Sequence, residues 1–300
     1  NDATGALRWV LGANYEKSTT LDDQALRYFD NTSHDSSLMY ISYSGVTNKQ
    51  KIENKAIFGN VEFDIGDKIT LKGGVRYTDS TNKNDLCSYS IENANLDKLF
   101  NFFGTLAAFN PRNVPFTPIG PTGCYTLNFD GVPGERFKGN LKEDNVSWRV
   151  GVDFKANSDT LLYANVSRGY KAGSFPSLAA SSFVALKPVS QEYVTAYEAG
   201  LKASLANRAI QFNAAGFYYD YRDKQVRGRL ADPTFGGLET LVNIPKSRIW
   251  GLETEVTVRP ASGLTISGAV TYLNSKIKES PAAPYNFNVL GVADDFSGDP

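Results

Sequence analysis

The chain has 300 residues, with 31 Lys and Arg against 32 Asp and Glu and a net charge of −1. It therefore carries no basic excess for neutralising phosphates, and nucleic acid is not an expected partner. No apolar run approaches the roughly 18–20 residues of a membrane-spanning helix, and mean hydropathy is −0.31, but a strand crosses a membrane with only about 9–11 alternating residues.

The chain opens "NDATGALRWVLGANYEKS" without the basic and apolar regions of an export signal, which is expected to be missing or already removed. Period-two alternation begins there, with Leu7, Trp9, Leu11, Ala13 and Tyr15 on one side. It returns in 57–65 (Ile57, Gly59, Val61, Phe63, Ile65) and in 69–77 (Ile69, Leu71, Gly73, Val75, Tyr77). Residues 144–155 set Val146, Trp148, Val150, Val152 and Phe154 against Asn145, Ser147, Arg149, Gly151, Asp153 and Lys155. Further sets follow at Leu162–Val166, Tyr193–Leu205, Ile210–Tyr218, Trp250–Val258 and Leu264–Tyr272. Alternation of this kind predicts β-strands with one apolar and one polar face, about nine in all.

The connections alternate in length. "GDK" (66–68), "ANSD" (156–159), "LANR" (205–208) and "PASG" (260–263) read as tight turns, and long segments at 16–52, 80–143, 171–191 and 225–243 lie between them. All tight turns then fall on one edge of the sheet and all long connections on the other. That is the layout of an outer-membrane barrel, and a water-soluble sandwich has little reason to adopt it. Aromatics agree in depth and parity. Tyr15, Tyr77, Tyr170, Tyr218 and Tyr272 end strands that run toward the long connections, and Trp148, Tyr193, Tyr197 and Trp250 begin strands that return. Phe63 and Phe154 lie near the tight turns, where a second aromatic girdle belongs. Arg168 is the misfit, because it shares parity with Leu162 and Val166.

The opposite face carries Arg8, Glu62, Asp64, Lys72, Arg76, Arg149, Asp153, Glu198, Glu253 and Glu255. In a dry core these would each cost several kcal/mol unless paired, so a hydrated lumen is expected, with Arg76, Arg149, Glu198, Glu253 and Glu255 among its charges. The segment 81–143 is read as one long extracellular loop, with a short helix in "LDKLFNFFGTLAAF"; loops of such length are usually functional. It holds both cysteines, Cys87 and Cys124. As a pair they would staple the loop in an oxidising compartment; the alternative is two unpaired thiols. Neither stands at metal-ligand spacing from His or Cys. No hydrolase, zincin, Walker or dinucleotide motif is present, and the single histidine, His34, lies in the polar loop "DNTSHDSS". No enzymatic activity and no cofactor are expected. From exposure and residue type alone, Tyr89, Phe102, Phe103, Arg112, Tyr125, Arg227 and Arg229 are candidate ligand contacts.

Three stretches carry a family likeness: "LLYANVSRGYKAGSF" (161–175), "EYVTAYEAGLKASLANRAIQFNAAGFYYDYRDKQV" (192–226) and "LVNIPKSRIWGLETEVTVRPASGLTISGAVTYLNSKI" (241–277). In content and order they resemble the barrel of TonB-dependent outer-membrane receptors. The resemblance implies an all-β, transmembrane, antiparallel up-and-down barrel of about 22 strands with a plugged lumen, of which residues 1–300 would supply part. The plug, its TonB-contacting box and the final strands would lie outside this sequence, and "FSGDP" at its end reads as an interrupted connection. The implied role is active import across the outer membrane of a Gram-negative bacterium, in outer-membrane lipid, with energy relayed by TonB through the plug. The implied ligand is a ferric siderophore, with cobalamin, haem or a carbohydrate as alternatives. A passive porin-like channel and a surface-adhesion or structural barrel are the rival readings.

Overall fold

Nine strands succeed one another in the computed structural model, which describes residues 5–27, 41, 43–91, 95–108, 114–232 and 234–279. They are β1 (Leu7–Arg27), β2 (Tyr43–Ile65), β3 (Ile69–Ser90), β4 (Phe137–Asn157), β5 (Thr160–Lys171), β6 (Glu192–Leu205), β7 (Ile210–Asp232), β8 (Gly236–Ala261) and β9 (Leu264–Glu279). One helix, α1 (Leu96–Ala108), interrupts the β3–β4 connection, and a 3-10 turn at Phe183–Leu186 interrupts the β5–β6 connection. The strands form one sheet in the order β1 to β9, each antiparallel to its sequence neighbour. Among the described residues, β1 and β9 each pair on one side only, as the ends of an open stretch of barrel wall.

The register carries each apolar set across the whole sheet. One row runs Leu7, Phe63, Leu71, Val152, Ala164, Ala199, Gly216, Leu252, Tyr272. The next runs Trp9, Val61, Gly73, Val150, Val166, Tyr197, Tyr218, Trp250. This face is bare: Leu11 is 73% exposed, Ile57 62% and Val270 69%. A contiguous apolar surface on this scale is far larger than a water-soluble monomer tolerates. In a closed up-and-down barrel it meets lipid, and the opposite face meets the lumen. There Arg8 reaches Glu62 at 3.3 Å and also Asp64, Thr70 donates to Asp64 at 2.6 Å, and Lys72 pairs with Asp153 at 2.6 Å. A one-residue slip would send all of these charges into lipid, so the register is strongly specified.

The tight turns are where the sequence puts them, at 66–68, 158–159, 206–209 and 262–263. Gly66 (φ 61°) and Gly263 (φ 80°) supply the left-handed conformation that two of them need. The long-connection edge differs from expectation. β1 and β2 continue to Arg27 and from Tyr43, and β3 and β4 continue to Ser90 and from Phe137, so the span 81–143 begins and ends as strand. The span 225–243, expected to be a loop, is the extension of β7 and β8, paired up to Asp232 and Gly236. Above the apolar band neither face of a strand is set against hydrocarbon, so apolar residues need no longer keep to one side. The ladder therefore persists after the alternation that revealed it has faded. Within that strand pair Asp223 takes φ 52° opposite Pro245, which lacks an N–H, and the ladder omits this pair.

Aromatic pairs bridge neighbouring strands along the upper edge of the apolar band: Tyr170 with Tyr193 (5.5 Å between centroids), Tyr197 with Tyr218 (6.2 Å) and Trp250 with Tyr272 (5.5 Å). Arg168 does face outward, at the edge of the band. Its guanidinium lies 5.0 Å over the Tyr193 ring and its Nε donates to Thr195 Oγ1 at 3.0 Å, so the charge is held among partners instead of bare in lipid. Because the register fixes which side of β4 meets lipid, Val150→Arg should cost about 2–4 kcal/mol and Ser147→Arg less than about 1 kcal/mol, measured by denaturant unfolding of the intact protein in bilayers. Equal costs would contradict the assigned faces.

Candidate functional site

The end of the sheet away from the tight turns is roofed by its own connections. The stretch Phe175–Leu186 is apolar without alternation, so it cannot lie as a half-wet strand, and it folds inward. Phe175, Ala180, Phe183, Ala185 and Leu186 bury themselves against Val46, Leu86 and Phe137, which project from the polar-face positions of β2, β3 and β4, and against Leu230 of β7. Phe183 and Phe137 meet edge to face at 5.2 Å. Burial of each large side chain contributes about 1.5–3 kcal/mol, so the loop is docked.

Its neck is tied as well. Glu143 accepts the backbone N–H groups of Gly173 (2.7 Å) and Gln191 (2.8 Å), one from each end of the loop. Gln225 bridges the same ends by donating to the carbonyls of Ala172 (2.9 Å) and Ser190 (3.1 Å) and accepting from Ser174 Oγ (3.3 Å). Ser174 and Val189 add a two-residue bridge between them.

The β3–β4 connection forms a second unit. Leu96, Leu99, Phe100 and Phe103 recur at helical spacing, Asp97 stands in the first turn, and the Asp97 N–H donates to Ser90 Oγ at 3.0 Å. The apolar stripe packs on Tyr125, Leu127 and Ile119 and reaches Phe235 at the tip of the β7–β8 hairpin, with Phe100 and Tyr125 4.6 Å apart. Cys87 and Cys124 are joined across a sequence separation of 37, so the loop is stapled to β3. The two units are also knitted together: Leu127 N–H donates to Ser181 O (3.0 Å), Phe183 N–H to Leu127 O (2.8 Å) and Thr126 Oγ1 to Ala180 O (2.8 Å).

Between the end of β1, the β5–β6 loop and the β7–β8 hairpin lies a cleft of about 790 Å³. Arg27, Arg227 and Arg229 line it together with residues 176–181, and Glu239 lies directly across the ladder from Arg229. Three guanidiniums and one carboxylate favour an anionic guest, with planar N–H forks suited to carboxylate, phenolate or hydroxamate oxygens. The volume is that of a small-molecule site.

The expected site residues fall in several different places. Arg227 and Arg229 line the cleft. Phe102 is 54% exposed on α1, while Phe103 joins the packing around Phe235. Tyr125 is only 3% exposed, because its ring is needed under α1, and it offers a ligand no surface. Tyr89 stands on the outward face of β3, away from the cleft, where it donates to Asp23 at 3.0 Å; burial and that bond hold its phenol above the ordinary tyrosine pKa. Arg112 and His34 lie outside the described residues. Arg76, Arg149, Glu198, Glu253 and Glu255 share the polar face by register. Arg27 was not singled out from sequence, since its place in the cleft lining depends on the β5–β6 loop and the β7–β8 hairpin, both distant in sequence; the largely apolar, non-alternating text of that loop was the available signal.

A family profile described as TonB dependent receptor-like, beta-barrel, matches residues 1–299. Among solved structures, the ferric yersiniabactin uptake receptor FyuA from Yersinia pestis superposes with a TM-score of 0.63 at 19% identity, covering 92% of this chain and 33% of that one. The siderophore receptor PiuA from Acinetobacter baumannii gives 0.60 at 15% identity, covering 99% and 39%. The ferric-catecholate import receptor Fiu from E. coli K12 in its closed form gives 0.57 at 15%, covering 97% and 38%. At these identities the likeness concerns the fold, and the chain spans between a third and two-fifths of the length of these receptors.

The paired N–H bonds to Glu143 make a direct test of the docked loop. Glu143→Ala should lower amide-exchange protection at Gly173 and Gln191 by about 1–3 kcal/mol while leaving the amides of the β4–β5 ladder unchanged. Cys87→Ser with Cys124→Ser should open the 91–136 connection to proteases without releasing the barrel, since the staple constrains one loop. Unchanged protection and unchanged cleavage would show that neither tie holds the roof.

Proposed function

The chain belongs to the TonB-dependent receptor β-barrel family, outer-membrane proteins of Gram-negative bacteria, and on that premise we propose that the whole protein actively imports a ferric siderophore with energy supplied through TonB. The observation that carries the ligand class is the cleft at the mouth of the polar face, whose lining includes Arg27, Arg227 and Arg229. In this reading the tight turns are periplasmic and the roofed end is extracellular. An anionic ferric chelate is captured by the arginines, and the charged inward face offers a hydrated route once a plug rearranges. The solved receptors of similar fold include proteins named for uptake of ferric yersiniabactin and ferric catecholates, which supports the same ligand class.

No bond is made or broken in this scheme. The protein's work is selective binding followed by release, so the arginines matter through affinity. Exposed guanidinium contacts to an anion weaken with salt, whereas contacts within the partly enclosed cleft are less screened.

Two outcomes test the proposal. In the intact receptor, Arg227→Gln with Arg229→Gln should weaken ferric-siderophore binding at least about tenfold, since each lost charge-assisted pair is worth about 1.5–3 kcal/mol. Heat-modifiable mobility, which reports barrel folding, should not change. Growth of a deletion strain complemented with the receptor, on single defined iron sources, should require both the receptor and an energised inner membrane. Liposome swelling in neutral sugars without any energy source would instead identify a passive channel.

A further inference from the structure

Above the aromatic girdle the outward face of β1–β4 changes character. The row after Tyr15 and Lys55 runs Lys17, Glu53, Thr81, Lys142, the next runs Thr19, Lys51, Lys83, Asn140, and the one above it brings Lys49 and Lys138. These lysines are all exposed, while the intervening inward residues Asn48, Ser80, Asn82 and Asn84 are buried, so burial and register agree that the lysines point away from the lumen. At about 6.8 Å per two-residue step and a tilt of about 40°, the patch rises roughly 5–15 Å above the girdle, which is headgroup depth.

Lys51 and Lys83 are direct cross-strand partners. Like charges placed opposite each other destabilise a sheet, and here further lysines surround them. The carboxylates on the same face, Asp23, Glu53, Asp79, Asp85 and Asp144, are fewer than the lysines and partly engaged, Asp23 by accepting from Tyr89 at 3.0 Å. Glu53 is bound by Lys55 at 2.9 Å and Asp85 by Arg136 at 2.5 Å, while Asp79 and Asp144 lie one row lower beside Lys55. Lys17 is the direct cross-strand partner of Glu53, and Lys83 lies two residues along β3 from its other partner, Thr81; the Glu53 carboxyl is held below its ordinary pKa first by the Lys55 bond and also by Lys17 and Lys83. Lys17, Lys51, Lys83 and Lys142 have no ion-pair partner among the described residues.

We infer that Lys17, Lys51, Lys83 and Lys142 form a binding surface for the phosphate groups of a phosphorylated glycolipid in the surrounding outer leaflet. The surface continues upward from the apolar face that lipid chains cover, so a lipid whose chains lie against Val75, Tyr77 and Ile57 has its headgroup beside the lysines. Phosphates between Lys51 and Lys83 would turn a repulsive pair into a bridged one. The inference rests on the orientation in which the roofed end is extracellular. It needs neither the transported ligand nor TonB.

The test uses the full-length receptor in nonionic detergent with added bis-phosphorylated lipid A, compared with the same lipid after removal of both phosphates. Wild type should bind the phosphorylated form at least tenfold more tightly than the dephosphorylated form, and its Tm should rise by several degrees. The variant Lys17→Gln/Lys51→Gln/Lys83→Gln/Lys142→Gln, checked for folding by heat-modifiable mobility, should lose most of that preference while keeping ferric-siderophore affinity. Lys51→Gln alone should raise the Tm in lipid-free detergent, by relief of the repulsion. Equal binding of the two lipids, an undiminished preference in the fourfold variant, or no gain from Lys51→Gln would overturn the inference. Loss of siderophore transport with lipid binding intact would count against the transport reading only.

Discussion

One sheet separates two solvents, and almost everything else in this molecule follows from that. Side chains alternate strictly across a strand, and every spanning strand pairs fully with its neighbours, so the choice of face is made once for all nine. Fixing Val150 toward lipid fixes Val61, Gly73, Val166 and Tyr197 with it through the row they share. Among the described residues, the spanning part accordingly shows no dry core. Its stability comes from the ladder, from lipid against the apolar face and from ion pairs such as Lys72–Asp153 on the wet one.

Buried apolar side chains gather elsewhere, in two clusters at the roofed end. There the chain behaves as a small water-soluble unit does: an amphipathic helix, an aromatic cluster, a disulfide and a docked loop fix one another. This division of labour has a functional side. A cleft walled by Arg227 and Arg229 on a strand extension and by a loop with a tied neck is pre-organised, so less ordering opposes ligand capture than a set of loose loops would require. The lysines outside the same strands show the complementary use of an extension: its inward face supports the roof while its outward face addresses the membrane surface.

How much of this was legible in the sequence depended on where solvent contrast exists. Within the lipid band Val146, Trp148, Val150, Val152 and Phe154 stand against Arg149 and Asp153, and the strand and its faces could be read directly. Above the band Lys17 to Arg27 and Val226 to Asp232 face no hydrocarbon on either side, the period disappears, and strand was mistaken for loop, most completely at 225–243. The helix at Leu96–Ala108 was readable because its stripe has a dry side, and the pairing of Cys87 with Cys124 was one of two open alternatives. Tyr125 went astray for a physical reason: an aromatic in a long loop looks exposed until the helix that covers it is placed. Nothing local marks Arg27 as a neighbour of Arg229, because β1 and β7 meet only across a cleft.

The central claim is the assignment of the two faces, and nitroxide labels placed singly along β4 from Asp144 to Lys155 of the intact protein in bilayers measure it most directly. Even-numbered positions from 146 to 154 should show high accessibility to oxygen and low accessibility to a polar nickel chelate, and odd-numbered positions the reverse, in an unbroken period of two. An absent period, or the opposite phase, would contradict the account.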